Sequence, residues 1–304
     1  MCGIAGFVND MPIDVKCPVL QRMTDMIAHR GPDSEGHYID EHAALGHRRL
    51  SIIDLGGGQQ PIYNEDGSKV ITFNGEIYNY QTLREELIAA GHTFTTKSDT
   101  EVLLHGYEQW GVDLLQRVRG MFTFVIWDKN KQELFGARDH FGIKPFYYAK
   151  MNGTFMYASE IKSLLRHPDF VKELNAEALK PYMTFQYPAI GETFFKGVYK
   201  LPEGHYFTYR DGKMDIHRYY DEDFREGKQK LGELVNSIDQ TVCDSVKAHQ
   251  IADVEVGSFL SSGVDSSYVA AVARPQHTYS IGFGKGTYNE SQQAGELADR
   301  KSVV

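Results

Sequence analysis

Cys2 stands directly after the initiator Met, and a side chain this small permits removal of that Met, leaving a free α-amine on the residue that bears the thiol. An α-amine titrates at about 7.7–8.0 and a thiol at about 8.5, so the amine can act as general base near neutral pH where a lysine ammonium could not. One residue would then carry both nucleophile and base. The competing reading is a small residue in a first β-strand beside Gly3 and Gly6. A second segment with chemical potential is Phe259-Leu260-Ser261-Ser262-Gly263-Val264-Asp265-Ser266-Ser267, between an apolar strand and a helix start. Such a loop presents backbone N–H groups, hydroxyls and the positive end of a helix dipole to an anion. It has neither the G-x-x-x-x-G-K-[ST] nor the G-x-G-x-x-G pattern, and an ordinary N-capped connection stays open. His29, His37, His42 and His47 lack H-E-x-x-H or comparable ligand spacing, and no metal is assigned.

The elements that must position these residues divide the chain. The first ~220 residues, dense in Gly, Tyr and Phe, read as short strands joined by turns with few helices. Phe122–Trp127 and Glu133–Ala137 flank the turn-rich Asp128-Lys129-Asn130-Lys131, and Pro145–Ala149 and Thr154–Ala158 flank Asn152-Gly153, which predicts antiparallel hairpins. Helices are expected near Leu83–Ala90, stopped by Gly91, and over Thr100–Gln109, with Ser98 and Glu101 as a capping box. The charged stretch 221–230 reads as a linker. Beyond it Leu231, Leu234, Val235, Ile238, Val242 and Val246 form one helical stripe, with Cys243 bordering a buried face. Strands Val254–Leu260 and Thr278–Phe283, with a helix through Ala273 ended by Pro275 between them, predict one βαβ unit.

Hydrophobic residues at 41%, charged residues at 24% and a longest apolar stretch of Met121–Trp127 indicate a soluble chain without a membrane span. Net charge is −9 with no basic run, which gives nucleic acid no footprint. Three dispersed cysteines, Cys2, Cys17 and Cys243, with no export signal, fit a reducing cytoplasm.

The joint order of Met1-Cys2-Gly3-Ile4-Ala5-Gly6, His29-Arg30-Gly31-Pro32-Asp33, Gly46-His47-Arg48-Arg49-Leu50-Ser51-Ile52, Asn74-Gly75-Glu76-Ile77-Tyr78-Asn79 and Ser98-Asp99 resembles the class II glutamine amidotransferases. The match continues through Arg138-Asp139-His140-Phe141-Gly142-Ile143-Lys144-Pro145 and Ala158-Ser159-Glu160-Ile161-Lys162. It implies an α+β N-terminal-nucleophile hydrolase over 2–220, with layered antiparallel sheets and flanking helices. Cys2 would attack the glutamine amide, Asn74 and the Gly75 N–H would form the oxyanion hole, Arg49 would pair with the substrate α-carboxylate, and Glu76 and Asp99 would hold its α-ammonium. Taken alone, Asn74-Gly75 could be a turn, Asp99 a helix-capping carboxylate and Arg49 a surface charge.

The serine-rich loop resembles the S-G-G-x-D-S-S loop of ATP pyrophosphatases, with Ser262 in place of the first Gly. Its pairing with the upstream domain narrows the resemblance to asparagine synthetases of the glutamine-hydrolysing B type. This implies ATP bound through Ser261, Gly263, Asp265, Ser266 and Ser267, with Leu260 and Ile281 near adenosine, Mg²⁺ on the phosphates, and glutamine, aspartate and ATP as substrates. A homodimer is compatible with it. Another class II amidotransferase and an inert glutamine-binding module are the alternatives. Residues 231–304 read as an incomplete α/β nucleotide-binding domain: two strands precede Phe283, the family's S-G-E-G-A-D-E segment is absent, and Arg300-Lys301-Ser302-Val303-Val304 reads as an abrupt stop. The expectation is a chain that hydrolyses glutamine without making asparagine.

Overall fold

The computed structural model describes residues 1–187, 190–282 and 290–301, and of Arg300 and Lys301 only the backbone. Met1–Glu222 and Asp223–Val304 form two compact units. In the first, two six-stranded antiparallel sheets carry every named strand. One is ordered β10 (Val198–Lys200), β8 (Tyr147–Met151), β9 (Thr154–Ala158), β1 (Gly3–Val8), β3 (Ala43–Arg49), β2 (Ser34–Ile39). The other is ordered β12 (Lys213–Arg218), β11 (His205–Arg210), β7 (Glu133–Arg138), β6 (Gly120–Asp128), β5 (Lys69–Ile77), β4 (Ile62–Tyr63). The expected hairpins are β6–β7 and β8–β9.

Side chains alternate along a strand, so the central strands of the first sheet serve two cores. Ile4, Leu45, Phe155 and Tyr157 face Val70, Val125, Trp127 and Phe207 of the second sheet. Ala5, Phe7, Ala44 and Met156 instead meet Val19, Leu20 and Met23 of α1 (Ile13–Asp25) and Leu164 of α4 (Ile161–Leu164). On the outer side of the second sheet, α3 (Asp99–Trp110) packs against β4 and β5, and against α2 (Tyr80–Ala89). Two helical layers thus enclose two sheets. α5 (Leu179–Phe185) completes the unit's helices.

Two expectations for this unit are corrected and one alternative reading falls away. Helices are more numerous than the Gly- and aromatic-rich composition suggests. α1 was hidden by Pro12 at its start and Pro18 inside it, and it persists because Val19, Leu20 and Met23 are buried against the sheet. Asn74 and Gly75 are not a turn: they lie inside β5, paired with Thr123 and Phe122 of β6. Ser98 does cap α3 through the Thr100 N–H, but Glu101 makes no capping box. Its carboxylate turns back to accept from the N–H and hydroxyl groups of Thr95 and Thr96.

Residues 221–230, across the boundary of the two units, carry no regular structure before α6 (Leu231–Ala248). β13 (Ser258–Phe259) pairs in parallel with β14 (Thr278–Tyr279), α7 (Val264–Ala273) connects them, and α8 (Ser291–Lys301) follows. This is the βαβ unit, with strands of two residues where longer ones were expected, and Phe283 and Ser302–Val304 lie outside the described residues. The α6 stripe is not buried. Leu231 is 78% exposed, with Leu234, Val235 and Ile238 also exposed, because a two-stranded sheet offers too little apolar surface to cover a five-turn helix. Cys243 is half-buried and its thiol faces Asp239 within α6.

Candidate active site

Cys2 precedes β1, the central strand on which both cores of the first unit converge. Its thiol donates to the Leu50 carbonyl at 3.5 Å and accepts from the Leu50 N–H at 3.4 Å. The Arg30 Nε donates to the Cys2 carbonyl at 2.9 Å, and Arg30 Nη1 and His29 Nε2 meet Glu160 Oε1 at 3.1 and 2.9 Å. Ser159 extends the pairing of β1 through its hydroxyl and N–H to Ile4. Three segments far apart in sequence therefore fix one residue. Burial pushes the thiol above its ordinary pKa, the Leu50 backbone opposing in part. A thiol held protonated needs a base to become a nucleophile.

All six residues singled out for glutamine line one pocket: Cys2, Arg49, Asn74, Gly75, Glu76 and Asp99. Asn74 is 1% exposed, and its side-chain N and O have no protein partner. A buried amide left unsatisfied costs about 1–3 kcal/mol, and this one lines the pocket where a ligand oxygen can meet it. Gly75 has its own reason: an added Cβ would lie 2.2 Å from the Met121 carbonyl oxygen and 2.7 Å from the Phe122 Cα. The close approach is to β6.

Arg49 is buried rather than a surface charge. Its Nη2 donates to the carbonyls of Ile53 and Asp54 at 3.0 and 2.7 Å, which orients the guanidinium without cancelling its charge. Asp99 is buried at the start of α3, accepting from the Ile77 N–H at 2.9 Å and from the Ser98 hydroxyl at 3.4 Å. Burial foremost, with Glu76 adding repulsion, raises its carboxyl to about 7. These six residues thus offer one cation, two carboxylates and an unpaired amide beside a thiol.

Sequence reasoning missed Lys144 and Gln60, which line the same pocket. Gln60 accepts from the Phe73 N–H at 2.6 Å and donates to the Thr100 hydroxyl at 3.2 Å, tying β5 to α3. Lys144 is buried, with Nζ 2.8 Å from the Met1 sulfur, and burial lowers its pKa. Its backbone is clamped. Asp139 accepts from the N–H groups of Phe122, Phe141, Ile143 and Lys144, and the Arg138 guanidinium donates to the carbonyls of Gly142, Lys144 and Leu201. The Arg138–Pro145 segment is thus a rigid wrap that delivers one ammonium to the pocket.

In the second unit Leu260, Ser261, Ser266 and Ile281 line one cleft, together with Glu290. Gly263 is the N-cap of α7, and Asp265 lies in its first turn. The Ser261 and Ser266 hydroxyls are 2.8 Å apart, and the Ser267 hydroxyl donates to the Gly263 carbonyl at 2.6 Å. Ser267 also borders a neighbouring cleft with Ser262 and Glu296. Leu260 is buried against Ala270 and Ala294, whereas Ile281 is exposed.

Residues 1–220 match the glutamine amidotransferase domain family, and residues 237–303 match the asparagine synthase family. Asparagine synthetase [glutamine-hydrolyzing] 1 of Bacillus subtilis is 44% identical over 98% of this chain and 48% of its own length. A putative asparagine synthetase [glutamine-hydrolyzing] of Mycobacterium tuberculosis is 37% identical over 95% and 49%. Amidase chry2 of Gibberella zeae is 35% identical over 90% and 42%. The chain spans about half the length of the curated relatives it matches. Among solved structures, glutamine phosphoribosylpyrophosphate amidotransferase from B. subtilis, complexed with ADP and GMP, has a TM-score of 0.55 at 17% identity, covering 94% of this chain and 67% of that one. That likeness concerns the fold.

Proposed function

Because the chain belongs to the glutamine amidotransferase domain family, we propose that its first unit hydrolyses glutamine to glutamate and ammonia with Cys2 as nucleophile. The observation that carries this reading is the single pocket in which the Cys2 thiol, the unpaired Asn74 amide, the Arg49 cation and two carboxylates meet. An α-amino acid is a zwitterion, so Arg49 takes its carboxylate and Glu76 with Asp99 its ammonium, leaving the side-chain amide toward Cys2.

Removal of Met1 turns the Cys2 nitrogen from an amide into an amine. The site disfavours charge on a terminal amine: burial chiefly lowers that of Met1, Arg30 and Lys144 act in the same direction, and Cys2 opposes. The Cys2 amine takes the thiol proton as sulfur attacks the amide carbon. Negative charge on the carbonyl oxygen is met by Asn74 Nδ2 and the Gly75 N–H, and one such donor is worth ~2.7–4 kcal/mol. The proton passes to the leaving nitrogen, ammonia departs, and water hydrolyses the glutamyl thioester. A glutamine-analogue electrophile should add one adduct, on Cys2, and Cys2→Ala should abolish both adduct and glutamate release. Full activity with Met1 retained would sink the proposal.

For the second unit the reading is part of an ATP-dependent ligase that, in the full-length relatives, would adenylate aspartate so that the ammonia yields asparagine, in the cytoplasm and compatibly with a homodimer; the 304 residues by themselves are expected to hydrolyse glutamine without making asparagine. The serine hydroxyls and the N-terminus of α7 suit a phosphate chain, and Asp265, in the first turn of that helix, would lie on the side of the Mg²⁺ that the phosphates carry. Magnesium-ATP binding followed by calorimetry, and its loss on Ser266→Asp, tests this.

A further inference from the structure

Away from this pocket, the first unit gathers four side chains whose chemistry the glutamine reaction does not use. Glu65 comes from the turn between β4 and β5, His92 follows α2, and His105 and Glu108 lie one turn apart on α3. Gly91, at φ +103°, reverses the chain at the end of α2 and delivers His92 to the group. One ligand atom from each of the four lies within 4.8 Å of the others.

The separations carry information. His92 Nδ1 is 3.5 Å from Glu65 Oε1, and His105 Nδ1 is 3.5 Å from Glu65 Oε2 and 3.1 Å from Glu108 Oε2. Ligands at the usual zinc distance of about 2.0–2.2 Å on a tetrahedron stand about 3.3–3.6 Å apart. The outer nitrogen of His92 is engaged, lying 3.2 Å from Gln109 Oε1, whereas His105 Nε2 faces Glu101 Oε1 at 3.5 Å without a hydrogen bond. The Gln109 acceptor behind His92 holds that imidazole with Nδ1 toward the centre, as the supports of metal-binding histidines do, and the Glu101 carboxylate stands behind His105. Glu108 Oε1 is already occupied by the Asn64 amide at 2.7 Å and by Lys69 at 3.4 Å, which leaves Oε2 for the centre. His105 is 1% exposed, whereas Glu65 is open to solvent and gives an ion a way in.

We propose that Glu65, His92, His105 and Glu108 bind one zinc ion that ties the β4–β5 turn and the end of α2 to α3. Two imidazoles select against magnesium and calcium, and four protein ligands without an open position make the site structural. The alternative occupant is a proton: burial lowers the pKa of His105, but Glu101 and Glu108 outweigh it and raise it to about 9. Metal and proton differ in what they recruit, because a proton on His105 does not need His92.

The test uses the full chain, purified without a histidine tag and stripped with chelator. Zinc titration against a chromophoric chelator should show one ion per chain and a raised Tm. Cobalt should give the intense visible bands of a tetrahedral nitrogen–oxygen site, with no thiolate charge-transfer band that would betray Cys2, Cys17 or Cys243. His92→Ala, and independently Glu65→Gln at the exposed position, should weaken zinc binding at least a hundredfold and leave the apo Tm within a few degrees. No binding, octahedral cobalt, a thiolate band, or affinity unchanged in both variants would each overturn the proposal and leave a protonated His105 cluster.

Discussion

Asp99 joins the site's electrostatics to pH. Its carboxyl, raised to about 7 chiefly by burial, is neutral below that value and then cannot hold a substrate ammonium. KM for glutamine should therefore rise as pH falls through 7, approaching about tenfold per unit, and Asp99→Asn should raise KM and flatten its pH dependence. Steady-state kinetics between pH 5.5 and about 8 check this; a flat wild-type KM would leave Asp99 a helix-start carboxylate only. Lys144 acts on the other ionisation. As a positioning residue that places positive charge near the nucleophile's amine, it should keep that base deprotonated. Lys144→Met should move the acid limb of kcat/KM upward by on the order of one unit, with Lys144→Arg restoring it. A uniform loss of rate without a shift would mean that Lys144 merely fills space. The types and order of Cys2, Arg49, Asn74, Gly75, Glu76 and Asp99 were legible in the chain. The segment that carries Lys144 was legible as part of the same resemblance, but its place in the pocket was not, because that depends on the carbonyl grip of Arg138 and the Asp139 turn.

At the level of elements, β5 carries the most constraint, since Asn74 and Glu76 must flank a residue that lets β6 come close. Gly75→Ala puts a methyl against the Met121 carbonyl, so the strands must part. Such overpacking costs about 1–3 kcal/mol, and thermal unfolding should fall by several degrees with glutaminase activity lost disproportionately. A wild-type Tm with normal activity would show that the pair absorbs the methyl. The β6–β7 and β8–β9 hairpins could be anticipated because turn residues and alternation agree over a few residues. α1 could not, since two prolines argue locally against a helix that tertiary burial sustains. The four residues proposed for zinc were equally hidden: they span positions 65 to 108 and come from three elements, whereas the histidines that cluster in sequence, His29 to His47, converge on no common centre among the described residues.

For the molecule as a whole, division into two units has a direct consequence for proteolysis. Residues 223–230 are exposed and without regular structure, so limited trypsin treatment should cut first after Arg225, Lys228 or Lys230. Glutaminase activity should survive that cut, because every residue of its pocket precedes Glu222. Loss of activity at the rate of this first cleavage would mean that the first unit depends on the second. Inside the first unit, β1 places Ile4 in the core between the sheets and Ala5 and Phe7 in the core beneath α1. The reactive sulfur sits just ahead of that strand, and its partner at residue 50 follows β3, which feeds the same two cores. A nucleophile hung from such a junction behaves as a built-in completion sensor. The thiol and the amine should become a matched pair only once both sheets are in place, so a chain stopped before β12 should release no glutamate from glutamine.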